Sequence, residues 1–141
     1  MGDRAALERS SAAGPAGPAG PAGPAGQPYA TATSDSAANA GDVARRVSGG
    51  NATKATGGAP GDGLGVLGLY GANVAGGGSA QIYRTGSRCP LAGLPVGELW
   101  RSNTGTAVLY SSLVAGEYSN RLGYSDGAAV DVNIGPEEQV L

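Results

Sequence analysis

Histidine is absent from the 141 residues, and cysteine, methionine and tryptophan occur once each. The missing histidine removes the usual general base near neutral pH and the commonest metal ligand. It also removes any Ser–His or Cys–His nucleophile pair. The lone Cys89 cannot close a disulfide within one chain, and no base stands beside it before Pro90. It reads as a small, buried or idle thiol. Charge is sparse: 14% of residues are charged, the formal net charge is −2, and Arg45-Arg46 is the only basic pair. That balance argues against a nucleic-acid partner. No apolar stretch reaches the length that spans a bilayer. Met1 to Arg9 carries charge without an apolar core behind it, so no N-terminal signal peptide is read there. No catalytic residue, metal ligand or cofactor is expected, and the chain reads as not an enzyme.

Large apolar side chains are the next scarcity. Through Gly63 the large aliphatic residues are Leu7, Val43 and Val47, and Tyr29 is the only aromatic. Ordering a residue costs about 1–2 kcal/mol, which so little apolar surface cannot offset. From Leu64 onward, large apolar residues become frequent. The expected organisation is a flexible N-terminus over 1–13, a stalk over 14–28, a Gly/Ala/Ser/Thr-rich linker over 29–78 and a small β-rich domain over 79–141. A domain of that size seldom stands alone without disulfides, metal or a partner subunit.

Against these absences stands a strict periodicity. Gly14, Gly17, Gly20, Gly23 and Gly26 fall at every third position, and Pro15, Pro18, Pro21 and Pro24 each follow a glycine. Three polyproline-type strands can share an axis only when glycine occupies every third position, because no side chain fits there. The run resembles collagen. That resemblance implies a homotrimer in which the five glycines are the structural triplet positions. The plain alternative is a stiff Pro/Ala/Gly spacer of single chains. Either form extends about 45 Å, at roughly 3 Å per residue.

Gly63, Gly65 and Gly68 match the G-x-G-x-x-G spacing of a dinucleotide loop. That fingerprint requires a strand before it, a helix after it and an acidic residue about 20 positions on. Ala59-Pro60-Gly61-Asp62 precedes it, Gly76-Gly77-Gly78 follows, and Glu98 is the next acid. The nucleotide reading is rejected in favour of close backbone packing, within or between subunits. From Ala80 the pattern turns to strands. Short β-prone runs lie at Gln81–Arg84, Glu98–Arg101, Ala107–Tyr110, Glu117–Tyr118, Arg121–Tyr124 and Ala129–Ile134. The loop at 102–106, with Gly105 late in it, predicts a hairpin. In the last run, Val130, Val132 and Ile134 share one face and Asp131 and Asn133 the other.

Pro95-Val96-Gly97-Glu98-Leu99-Trp100, with Gly105 and Leu109-Tyr110 beyond, resembles a short hairpin of tail-fibre and appendage proteins of bacterial viruses. That family has an acidic or amide residue after the tryptophan, where this chain has Arg101. Trp100 is a core residue or a ligand anchor, and a lone tryptophan in a small domain is more often core. Asp126, Asp131 and Asn133 offer too few oxygens for calcium. Glu137 and Glu138 do not by themselves establish the paired carboxylates of a glycosidase.

The expected fold is thus a mostly irregular, low-complexity N-terminal part with a collagen-like run, followed by a small antiparallel β-rich unit that trimerises. The expected function is that of a structural fibre-type protein on a virion or extracellular surface, with self-association as its partnership and a surface or glycan ligand left open. The alternative is a monomeric ligand-binding β module on a flexible Pro/Ala/Gly tether.

Overall fold

The computed structural model describes residues 29–141; the N-terminal segment 1–13 and the triplet run 14–28 lie outside the described residues. The strands are β1 (Ala30–Thr33), β2 (Val43–Arg46), β3 (Ala52–Lys54), β4 (Val66–Tyr70), β5 (Ser79–Arg84), β6 (Arg88–Cys89), β7 (Gly97–Arg101), β8 (Ala107–Leu109), β9 (Tyr118–Ser125), β10 (Val130–Val132) and β11 (Glu137–Gln139). Single 3₁₀ turns occupy Ser48–Gly50 and Tyr110–Ser112.

These strands form two antiparallel sheets. The first has the order β1-β5-β4-β2-β3. A parallel bridge between Ser34, just beyond β1, and Ala52 in β3 joins its two edges, so the sheet closes on itself at that end. The second runs β6-β10-β9-β7-β8, with β11 also pairing β9. Residues 133–135 stay hydrogen-bonded to β9 between β10 and β11, so the C-terminal segment follows one edge of β9 from end to end.

Strand alternation fixes what each face buries. In the first sheet Val43, Leu69 and Tyr83 point toward the second sheet and meet Cys89, Leu99, Leu122, Val130 and Val132. Their chain neighbours Ala44, Tyr70 and Ile82 point the other way, into the closed interior, with Ala38, Ala52 and Ala80. The first sheet is therefore buried on both faces, one in the shared core and one in its own small barrel.

This arrangement corrects the expected linker. Residues 29–78 form β1 to β4, and the β unit spans 29–141 rather than 79–141. Few large apolar side chains lie in this stretch, which gives it the composition of a linker. The inside of a barrel this narrow has room for little besides alanine around Tyr70 and Ile82, so its scarcity of bulk suits the position it occupies.

From Ala80 onward the expectations stand closer to the structure. β7 and β8 form the hairpin, with Leu99 opposite Leu109 and Arg101 opposite Ala107; Tyr110 leaves the strand as the first residue of a 3₁₀ turn. The two runs at 117–124 are one strand, β9, interrupted by a bulge at Leu122. On β10, Val130 and Val132 are buried while Asp131 and Asn133 are exposed.

Candidate functional site

The face of the second sheet that turns away from the core carries a set of polar and aromatic side chains. Glu98 on β7, Tyr124 on β9, Asp131 on β10 and Arg88 on β6 stand directly opposite one another in register, a row across four strands. Beside it, Val108, Trp100 and Arg121 form a second row across β8, β7 and β9. Tyr124 is 52% exposed, whereas Trp100 is 8% exposed. Trp100 sets its ring edge-on to Tyr110, centroids 5.0 Å apart. Its indole N–H donates to Glu98 Oε1 at 3.2 Å, and Arg121 approaches the other oxygen of that carboxylate at 3.9 Å.

A cleft of about 340 Å³ opens between Glu98, Arg121, Tyr124, Asp131 and Asn133, over Gly123. Gly123 has φ +147°, and a Cβ there would lie 2.1 Å from the Asp131 carbonyl oxygen. Only glycine fits, so the floor of the cleft stays bare. An exposed ring flanked by carboxylates, an amide and a guanidinium can stack against and hydrogen-bond a polar ligand.

Asp131 and Asp126 come together, but around a guanidinium. Arg88 donates to both carboxylates, and Asp126 Oδ1 also accepts the N–H groups of Ala128 and Ala129 at 2.9 Å. The bond from Arg88, reinforced by those amides, holds the Asp126 carboxyl well below the usual carboxylate range. Arg88 occupies the place a cation would take. Among the described residues no group of three or more His, Cys, Asp or Glu could hold a metal ion.

Cys89 is buried and unpaired, and burial pushes its thiol up to about 12. Such a thiol is protonated and unreactive at neutral pH. Gly68 lies inside β4 opposite Arg84, where a Cβ would come 1.9 Å from the Tyr83 carbonyl oxygen. This is backbone packing within one chain rather than a nucleotide loop. The amides of Gly61 and Gly63 are bonded to the chain's own Glu137 carboxylate, the latter at 2.6 Å.

Among the described residues the most buried charge is Arg101, 1% exposed. It follows Leu99 on the inward face of β7, and desolvation lowers its pKa. The guanidinium donates to Asn120 Oδ1 at 2.9 Å, to the Tyr118 carbonyl oxygen at 3.1 Å and to the Gly57 carbonyl oxygen. Asn120 in turn donates to the carbonyl oxygens of Gly63 and Gly135. This network ties the glycine-rich loop at 57–65 to β7, β9 and the C-terminal segment. Its partners lie far away in the sequence, and the only local signal was an arginine at an inward strand position.

The triplet glycines Gly14, Gly17, Gly20, Gly23 and Gly26 lie outside the described residues. The chain matches no protein-family model, and comparison with curated proteins and with solved structures gives no match.

Proposed function

We propose that the protein is a structural fibre-type component, a homotrimer whose Gly-Pro-Ala stalk carries a folded β head, on a virion or an extracellular surface. The observation that carries this reading is the closeness in sequence of the triplet run to the folded head. Glycine recurs at every third position up to Gly26, and Tyr29, three residues on, already packs its ring 5.5 Å from that of Tyr83. A triplet run separated from a folded unit by two residues has its end held in register wherever the heads associate. Tethering of this kind supplies high effective concentration to a run too short to associate well alone. Apolar surface for contact among heads is at hand near the C-terminal segment, where Val114 is 56% and Leu141 99% exposed; the Leu141 N–H donates to the Tyr110 hydroxyl at 3.0 Å.

The test is a circular dichroism melt of the whole chain. A collagen-like signal should melt cooperatively, and Gly20→Ala should abolish it or lower its midpoint sharply, because a methyl group enters the crowded axis. A melt indifferent to Gly20→Ala would leave the run as a single-chain spacer.

One feature favours the second reading, a monomeric binding module on a Pro/Ala/Gly tether. The cleft around Tyr124, with Glu98, Arg121 and Asp131 at its sides, is equipped to hold a polar ligand whether or not the stalks associate.

A further inference from the structure

The barrel of the first sheet is closed at one end and open at the other. At the closed end the Ser34–Ala52 bridge joins β1 to β3, and the Tyr70 ring fills the interior with its hydroxyl 2.8 Å from Ser34 Oγ. Toward the other end the filling thins. Ala30 and Ala32 face Ile82 and Ala80 across the β1–β5 pair. Gly68, held to glycine by the Tyr83 carbonyl oxygen, contributes no side chain. The result is a cleft of about 130 Å³ whose lining includes Ala30, Ala32, Leu67 and Ile82.

Strand alternation places two arginines at its rim. Arg46 follows Ala44 on β2, and Arg84 follows Ile82 on β5, each at the next inward-facing position toward the open end. Both line the cleft, and no acidic residue does. Among the described residues neither arginine has a carboxylate within ion-pair distance.

We propose that the open end of the barrel binds a small carboxylate bearing a short aliphatic tail. The guanidiniums match the carboxylate in charge and in planar donor geometry. The alkyl floor of Leu67 and Ile82 takes the tail. Size restricts the tail: a cleft of about 130 Å³ is comparable to a cavity that holds one benzene-sized group, which suits a short branched tail and not a fatty acyl chain. A phosphate or sulfate would satisfy the rim and leave the floor dry and empty. This site lies on the first sheet, away from the cleft at Tyr124, and does not depend on trimer formation.

The experiment is a titration of the isotope-labelled full chain, followed by amide NMR, with isovalerate as probe. Isoamyl alcohol serves as the tail without the charge and acetate as the charge without the tail. Isovalerate should shift the amides of Ala30–Thr33, Arg46, Gly50 and Ile82–Arg84 saturably, and bind at least about tenfold more tightly than either control. Arg46→Gln with Arg84→Gln should remove that binding while the remaining resonances keep their positions. Ala30→Leu, which fills the cleft and keeps both arginines, should abolish the preference for isovalerate over acetate. Absence of saturable shifts at these amides, equal binding of the alcohol, or binding that survives the paired arginine substitution would each overturn the proposal.

Discussion

Arg101 keeps its charge in a place where 1% of it reaches solvent, and the geometry around it explains how. Three acceptors converge on the guanidinium, from Asn120, Gly57 and Tyr118. Replacing it with leucine leaves those acceptors buried and unsatisfied. At about 1 kcal/mol or more for each, Arg101→Leu should cost at least about 3 kcal/mol, read as a lower urea midpoint for residues 29–141. Little change would mean that water replaces the guanidinium at no cost. Cys89 makes a different residue-level prediction. Its folded pKa is raised to about 12, against an unfolded value of 9.0, so the folded state holds the proton longer. The stability this brings is present in full below pH 9 and is lost as pH rises from there toward 12. Tyr70 and Tyr83, also raised by burial from 10.0, act in the same direction at higher pH. The Cys89 contribution is therefore the difference in slope between the parent and Cys89→Ala from pH 9 upward. Equal slopes would contradict it.

The elements differ in how openly the sequence announces them. β10 was legible because Val130 and Val132 alternate with polar Asp131, and large side chains mark a buried face plainly. The β7–β8 hairpin was legible for the same reason, with Gly105 supplying the turn. β1 to β3 were not, since Ala32, Ala44 and Ala52 carry the small side chains that a linker also carries. Which of the two they belong to depends on the closure of a sheet, a relation among strands far apart in the chain. The candidate face was legible only in its members: Trp100 was singled out, while Tyr124 and Arg121 came beside it through cross-strand register. The Arg101 network was hidden for a related reason, as its Gly57 partner lies 44 residues away. Closure has a consequence at this scale. Ala44, fully buried inside the barrel, should tolerate no larger side chain, and Ala44→Leu should destabilise the unit by about 1–3 kcal/mol or more through overpacking. Trp100 belongs to the opposite sheet and errs in the opposite direction when changed. Trp100→Ala removes a buried ring from Tyr110 and releases Glu98, for about 3–5 kcal/mol. Thermal melts of the two variants check both numbers; a Trp100→Ala protein as stable as the parent would mark the ring as presented to a ligand instead.

For the whole molecule, the folded unit takes in both halves of the described chain. Val43 and Leu69 from the first sheet share one core with Leu99 and Leu122 from the second, and Glu137 near the C-terminal end holds the amides of Gly61 and Gly63. A fragment beginning at Leu64 would lose β1 to β3 and with them one wall of that core, so the smallest fragment expected to fold is 29–141. If three chains meet along one axis, the five glycine triplets supply the positions that axis requires. The most direct test is the mass of the whole chain by sedimentation equilibrium. A particle of three times the 13.6 kDa chain mass, falling to a lower mass or losing its collagen-like melt on Gly20→Ala, is the predicted result. A particle of one chain mass at all concentrations would contradict it and leave a single β head on a stiff tether.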